Sequence, residues 1–508
     1  MKFKYIILFF VLTIHVSLIA QHKKREMRAA WIATVENIDW PLNRSVNSRQ
    51  QQQEMRQMLD GLAQNNINTI VFQARPTADA FFLSPLEPWS KYLTGTQGKR
   101  PDPYYDPLQF IIEEAHRRCM EVHVWLNPYR VMNGNGINSL SKDHLYNKQR
   151  DLFVNYGGKY YFDPGLDETR DFLNQVVKDM VERYDVDAIH FDDYFYPYPV
   201  DGKDFPDNET FRKFPRGYTN KADWRRNNVN MVIEELHQTI KNVKPWVDFG
   251  VSPFGVWRND NVDPSGSATR AGIQNYDDLY ADILKWLKDG TIDYVVPQLY
   301  WEIGKKVADY EVLLKWWSEN SFNRNLYIGL YASALGIKTE PAWKKPNELA
   351  RQLRLNQKYP EVSGAMFFSA KSFLKNLQGL NDSLKTNFYK YKAICPESRN
   401  GNGNGNGNAA TQPQNIRILK DHNETILLWD RVEKEDGDKI ACYIVYAFKG
   451  KKVGDMNNPE SILTITTENN VDLKKMPTEF RGYYTFVVTA INRFRKESIP
   501  TYGISRRM

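Results

Sequence analysis

Between residues 26 and 395, short apolar runs of strand length alternate eight times with longer amphipathic stretches of helix length. Strand–helix alternation kept up over that distance requires a parallel sheet, because each helix must carry the chain back before the next strand begins. The runs predict strands at 29–34, 69–74, 121–126, 188–194, 249–254, 294–300, 326–331 and 365–369. Helices are predicted between them, among others at 50–64, 108–119, 168–184, 223–241, 276–288 and 347–357. Eight such units fit a closed (β/α)8 barrel, of the TIM type, better than an open sheet; a doubly wound sheet with two insertions is the alternative. A chain of 508 residues exceeds what that barrel needs, so further units are expected at its ends.

At the N-terminal end, Met1-Lys-Phe-Lys4 is basic, Tyr5 to Ala20 is apolar almost throughout, and Gln21, His22, Lys23 and Lys24 break the pattern. That order reads as an export signal over residues 1–20, with a periplasmic or secreted mature protein; an uncleaved anchor is the alternative. No later run is long and apolar enough for a membrane span, so none is expected in the mature chain. At the other end, Asn and Gly alternate from Asn400 to Asn408, inside a flexible linker placed at 398–414. Residues 415–508 then carry short alternating runs, such as 425–429, 442–446 and 484–492, which predict a small all-β sandwich. Trp429 and the pattern Tyr484-x-x-x-Val488-x-Ala490-x-Asn492 resemble fibronectin type III domains. The resemblance implies that Trp429 is core and that Tyr484 makes the corner hydrogen bond.

The net charge of +7 is small for this length, and no block of five or six basic residues occurs, so nucleic acid is not an expected partner. Cys119, Cys395 and Cys442 form no CxxC pair and no zinc spacing, and stability is expected to come mainly from the core. Asp192 and Asp193 could hold a divalent cation with Asp163. However, no HExxH, paired-histidine or calcium-loop pattern accompanies them, so no metal and no cofactor are expected.

In a barrel of this kind the chemistry sits where strands end. The predicted exits carry Trp31, Arg75, Trp125, Asn127, Tyr129, Arg130, His190, Tyr194, Trp257, Arg258, Gln298, Tyr300, Trp301 and Tyr331. Amides, arginines and rings converging on one rim describe a carbohydrate site, with stacking surfaces from Trp31, Trp125, Tyr129, Trp257 and Trp301. Asp192-Asp193 stands at the centre. Strand alternation turns His190, Asp192 and Tyr194 to one side and Asp193 to the other or into the next turn. Two adjoining carboxyls walled by rings repel, and burial favours the neutral form, so one is expected to keep a proton while the other stays charged. Glycoside cleavage uses such a split. Asp79, Glu87 and Glu302 are candidates for a second, more distant carboxylate. For an N-acetyl sugar the substrate's own acetamido group can take the nucleophile's place.

The motifs Arg28-Ala-Ala-Trp31, Gln73-Ala-Arg75-Pro-Thr-Ala-Asp79, Glu87-Pro-Trp-Ser90, Trp125-Leu-Asn127-Pro-Tyr-Arg130, His190-Phe-Asp192-Asp-Tyr-Phe-Tyr-Pro197, Ser252-Pro-Phe-Gly255, Pro297-Gln-Leu-Tyr-Trp301 and Ser369-Ala-Lys-Ser372 follow one another in order. Together they resemble the glycosyl hydrolase-like 10 family over most of residues 26–380. The resemblance implies a secreted (β/α)8 glycoside hydrolase with Asp79, Glu87, Asp192 and Asp193 at matching positions; it does not endorse Glu302. It also implies, for some members, action on peptidoglycan strands freed of stem peptides. The expected partner is therefore a polysaccharide. A non-catalytic wall- or polysaccharide-binding protein is the alternative reading, and a metal-dependent deacetylase a third.

Overall fold

The computed structural model describes residues 22–43, 47–133, 136–399, 407–421, 424–476 and 480–508. The expected export signal and the centre of the Asn/Gly linker lie outside the described residues. Eight parallel strands close into a barrel: β1 (Met27–Ile32), β2 (Thr69–Arg75), β3 (Glu121–Leu126), β4 (Ala188–Phe191), β5 (Asp248–Val251), β6 (Tyr294–Val295), β7 (Asn325–Leu330) and β8 (Val362–Phe367). Each pairs with its neighbours in sequence, and β8 returns to β1 with Met27 opposite Gly364. The helices α1 (Ser48–Ala63), α2 (Pro107–Arg117), α3 (Asp167–Arg183), α4 (Lys221–Val243), α5 (Ile283–Asp289), α6 (Tyr310–Glu319), α7 (Glu348–Asn356) and α8 (Ala370–Leu374) alternate with them.

Strand periodicity explains both layers of the core. Ala29, Trp31 and Ala33 point into the lumen with Val71, Trp125, Tyr294, Tyr327 and Met366. Ala30 and Ile32 point outward, into the shell that holds Met55, Met58, Leu59 and Leu62 of α1. Gly250 is required by the lumen, since a Cβ there would lie 2.0 Å from the Tyr294 ring. Several strands stop short of their apolar runs. β5 and β6 end before Pro253 and Pro297, which have no N–H for the ladder. β4 ends at Phe191, so Asp192 and Asp193 lie in the turn beyond it. A hairpin absent from the sequence reading (Phe153–Tyr156 with Lys159–Phe162) sits between β3 and α3. It turns at Gly157 and Gly158, both at positive φ.

The C-terminal unit has two antiparallel sheets. One holds β9 (Arg417–Asp421), β10 (Glu424–Leu428) and β13 (Asn470–Asp472). The other holds β11 (Ile440–Lys449), β12 (Ile462–Thr466), β14 (Tyr483–Asn492) and β15 (Ile504–Arg507). Trp429, Tyr443, Val445, Phe486 and Val488 form its core. The Tyr484 ring packs on Phe480 and Phe486, while the Tyr443 hydroxyl accepts the Val432 N–H at 2.9 Å.

This unit is docked on the floor of the barrel, where the strands begin. Arg495 reaches Asp248 at 2.5 Å and Glu121 at 2.6 Å, and Arg493 reaches Asp185 and Asp187 at 2.6 and 3.1 Å. Burial alone would raise the Glu121 and Asp248 carboxyls, but Arg495, joined by His123 at Glu121 and by Lys241 and Ser398 at Asp248, holds both below the usual range. Among the described residues no helix is long and apolar enough to cross a membrane.

Candidate active site

At the opposite end, where the strands finish, the loops surround a cavity of about 410 Å3. Its lining includes Trp31, Trp125, Arg130, Asp192, Asp193, Tyr194, Gln298, Tyr300, Trp301 and Tyr331, ten residues from five different strand exits. Gln73, Tyr198, Ser252, Lys338 and Phe368 line it as well. Because β4 stops at Phe191, strand alternation no longer separates the two aspartates, and both carboxyls face this mouth, 7% and 4% exposed.

The pair is held from several sides. Asp192 Oδ1 accepts the Asp193 N–H at 2.8 Å and the Gln298 amide at 3.1 Å, and Gln298 also donates to the Ser252 carbonyl at 2.9 Å. Tyr198 donates its hydroxyl to Asp193 Oδ2. Burial raises both carboxyls. Asp193 is driven well above the usual carboxylate range because the Asp192 charge adds to its burial, whereas Asp192 is eased back by hydrogen bonds from Asp193 and Gln298 and by Arg130. Of the two, Asp193 is the carboxyl its surroundings press harder toward the protonated form. Burial and the hydrogen bond to Asp193 push the Tyr198 hydroxyl upward, so it remains a donor.

Rings and one amide complete the walls. Tyr300 stacks on Tyr331 with centroids 4.9 Å apart, and Phe368 lies 6.1 Å from Tyr300 and 6.4 Å from Trp31. The Arg130 guanidinium lies 4.2 Å from the centre of the Tyr194 ring. Gln73 is fixed from one end only. Its Oε1 accepts the Thr34 and Val35 N–H groups at 3.0 and 2.9 Å, while its buried Nε2 has no partner among the described residues. A buried donor left open at the edge of a cavity is a place for a ligand acceptor.

The remaining sequence candidates lie outside this lining. His190 sits beneath the pair with Nδ1 3.0 Å from the Tyr294 hydroxyl and Nε2 2.9 Å from Ser252 Oγ, and burial keeps it neutral. Arg75 and Glu87 form a buried ion pair at 2.6 Å, with Arg75 also donating to the Asn127 and Pro128 carbonyls. Asn127 donates to the Pro76 carbonyl, and Tyr129 is core. Asp79 is fully buried, accepts from Thr77 and Gln97 at 3.1 and 3.0 Å, and is raised by burial to about 6. Trp257 stacks on Trp316, and Arg258 is paired with Asp277 and Asp263. Glu302 accepts from the Trp343 indole at 3.2 Å and pairs with Lys305 at 3.3 Å. Tyr198 was not singled out in the sequence; its only signal is that it follows the aspartates closely. Among the described residues no group of three or more His, Cys, Asp or Glu is placed to hold a metal ion.

A family model described as Glycosyl hydrolase-like 10 matches residues 26–345. The chain is 42% identical over 486 residues to Glycosyl hydrolase YngK of Bacillus subtilis (strain 168), covering 93% of this chain and 92% of that one. It is 42% identical over 371 residues to Glycosyl hydrolase DigH of Escherichia coli (strain K12), covering 68% of this chain and 84% of that one. Among solved structures, the endo-1,4-beta-mannanase from Rhizomucor miehei is similar with a TM-score of 0.43 at 11% identity, over 71% of this chain and 95% of that one.

Proposed function

From the premise that this chain belongs to the glycosyl hydrolase-like 10 family and is a glycoside hydrolase, we propose that it is exported and cleaves a glycan of 2-acetamido sugars, peptide-free peptidoglycan strands being its substrate. One observation carries the reading: the only carboxylates among the described residues lining the mouth are Asp192 and Asp193, adjacent in the chain. Two-carboxylate hydrolysis needs groups about 5–10 Å apart, on opposite faces of the sugar or across an attacking water. Asp79, Glu87 and Glu302, the more distant candidates, are committed to Thr77 and Gln97, to Arg75, and to Trp343 and Lys305 respectively. The nucleophile then comes from the substrate.

In this mechanism Asp193 gives its proton to the glycosidic oxygen as the bond from the anomeric carbon to that oxygen breaks. The Asp192 carboxylate accepts the acetamido N–H and turns the amide oxygen onto the anomeric carbon, where it forms the new bond. Water, losing a proton to Asp193, then opens the cyclic intermediate and restores the acetamide. Trp31, Trp125, Tyr300, Trp301 and Tyr331 supply apolar faces for the sugar rings, each contributing about 0.5–1.5 kcal/mol beyond burial. Gln73 Nε2 donates to a substrate oxygen. The C-terminal unit, read as fibronectin type III-like from its three- and four-stranded sheets, holds the barrel floor and takes no part in the chemistry.

The test is incubation of the purified protein with peptidoglycan, intact and stripped of stem peptides, followed by mass analysis of soluble fragments. Glycan fragments are expected from the stripped strands only. Asp193→Asn and Asp192→Asn are each expected to lower the rate by about 10²–10⁴-fold with the fold unchanged by circular dichroism. No fragments from stripped strands, or equal release by wild type and both variants, contradicts the reading.

A further inference from the structure

The three cysteines of the chain lie far apart in sequence, yet all three line one cavity of about 480 Å3 between the barrel floor and the C-terminal unit. They arrive on separate elements. Cys119 lies just beyond α2, in the turn that feeds β3 into the barrel floor, and is half-buried. Cys395 belongs to the segment that leaves the barrel; its Sγ lies 3.4 Å from Thr69 Oγ1 and 3.8 Å from the Asn68 carbonyl. Cys442 is on β11, and its direction follows from the two-residue period of that strand. Tyr443 and Val445 face the sandwich core. Cys442, Ile444 and Tyr446 face the other way, toward the barrel, in a second cluster that also contains Ile394 and Ile491. Cys119 packs against that cluster.

We propose that Cys119 and Cys442 are a disulfide-forming pair, a covalent modification site that joins the barrel floor to the C-terminal unit. Cys119 and Cys442 line the same cavity, and Cys119 packs against the cluster that holds Cys442; the nearness of Cys119, together with burial, raises the Cys442 thiol well above its ordinary range. Cys395 is occupied on the barrel side by Thr69 and is the third thiol of the cavity, not a member of the pair. The oxidant is a disulfide, of a small molecule or of an oxidoreductase. Cys119, the more exposed thiol, attacks it as the thiolate, forming a mixed disulfide and releasing one thiolate. Cys442 gives up its proton and attacks the Cys119 sulfur, forming the bond between the two residues and releasing the second thiolate. Two cysteines are oxidised, one disulfide is reduced, and both protons leave to solvent. The rim of the cavity is charged on both sides, with His116, Asp185 and Asp187 of the barrel facing Arg493 and Lys439 of the other unit, which keeps the two walls in register while the bond forms.

The test is peptide mapping of the full protein under non-reducing conditions, after incubation with oxidised glutathione at mildly alkaline pH. The expected result is one disulfide linking the peptides of Cys119 and Cys442 within a single chain, with Cys395 alkylated only after unfolding. Cys395→Ser is expected to form the same link, and Cys119→Ser to form none. Three alkylatable thiols after oxidation, a link through Cys395, or a link between two chains overturns the proposal. Because the decisive map is read on the unmutated protein, failure of a variant to fold leaves the outcome intact, and the result is independent of whether the mouth cleaves any glycan.

Discussion

At the scale of single residues, the division of labour between Asp192 and Asp193 makes a signed prediction. The general acid must be protonated, so the alkaline limb of the pH–rate profile follows Asp193. Tyr198 donates to Asp193 and thereby pulls its carboxyl downward against burial and the Asp192 charge. Tyr198→Phe removes that donor, Asp193 rises further, and the alkaline limb of kcat/KM moves to higher pH; a limb that stays or moves down contradicts the assignment. Gln73→Glu keeps an oxygen for the Thr34 and Val35 N–H groups but replaces the open donor with an acceptor. It is expected to lower kcat/KM by about 10–100-fold, with the urea midpoint little changed. The adjacent aspartates were legible in the sequence as a pair, because two carboxyls at a strand exit are chemically conspicuous. Alternation leaves Asp193 on the opposite face or in the next turn, and the end of β4 at Phe191 decides for the turn.

At the scale of elements, the loop after β2 is braced from below rather than open to substrate. Arg75 and Glu87 are paired in the interior, and Asp79 is buried beside them. Asp79 is raised from 3.8 to about 6, so the folded state favours its protonated form. That contribution is complete below about pH 4 and is lost as pH rises through about 6. Asp79→Asn is therefore expected to gain stability over wild type between those values, reaching about 2–3 kcal/mol at neutral pH, read as the difference in urea unfolding free energy across pH. Activity that survives in this variant places Asp79 in the brace; loss of activity with a sound fold would move it into the chemistry. The eight strands are legible because strands covered on both faces carry continuous apolar runs, as Ile70, Val71 and Phe72 do in β2. β5 and β6 end earlier than their apolar runs predict, ahead of Pro253 and Pro297. The loops were less legible still. Trp257 and Arg258 follow a strand exit in sequence, yet Trp316, Asp277 and Asp263 draw them away, and only the tertiary contacts specify that.

At the scale of the whole molecule, the chemistry and the C-terminal unit lie at opposite ends of the barrel, and ion pairs join the two units beside an apolar cluster of Ile394, Ile444 and Ile491. Arg495 is 4% exposed and answers both Asp248 and Glu121. Arg495→Met would remove the main counter-ion of two interior carboxylates, leaving Asp248 only Lys241 at 4.0 Å and Glu121 only His123 at 3.2 Å, an expected loss of about 3–5 kcal/mol by urea unfolding. Because Asp187, Asp248 and Glu121 are held below their ordinary values, the seam's contribution is present above about pH 4 and fades as pH falls below it. Acid is expected to release the C-terminal unit in wild type, and Arg495→Met should lose the share of that acid transition carried by Asp248 and Glu121 while keeping the share Asp187 carries through Arg493. None of this touches the mouth, so catalysis is tested on the intact protein by one comparison: the release of fragments from an N-acetylated glycan chain and from the same chain after its acetyl groups are removed. Cleavage of the N-acetylated chain alone is predicted, because the acetamido oxygen is the nucleophile; equal cleavage of both would contradict it.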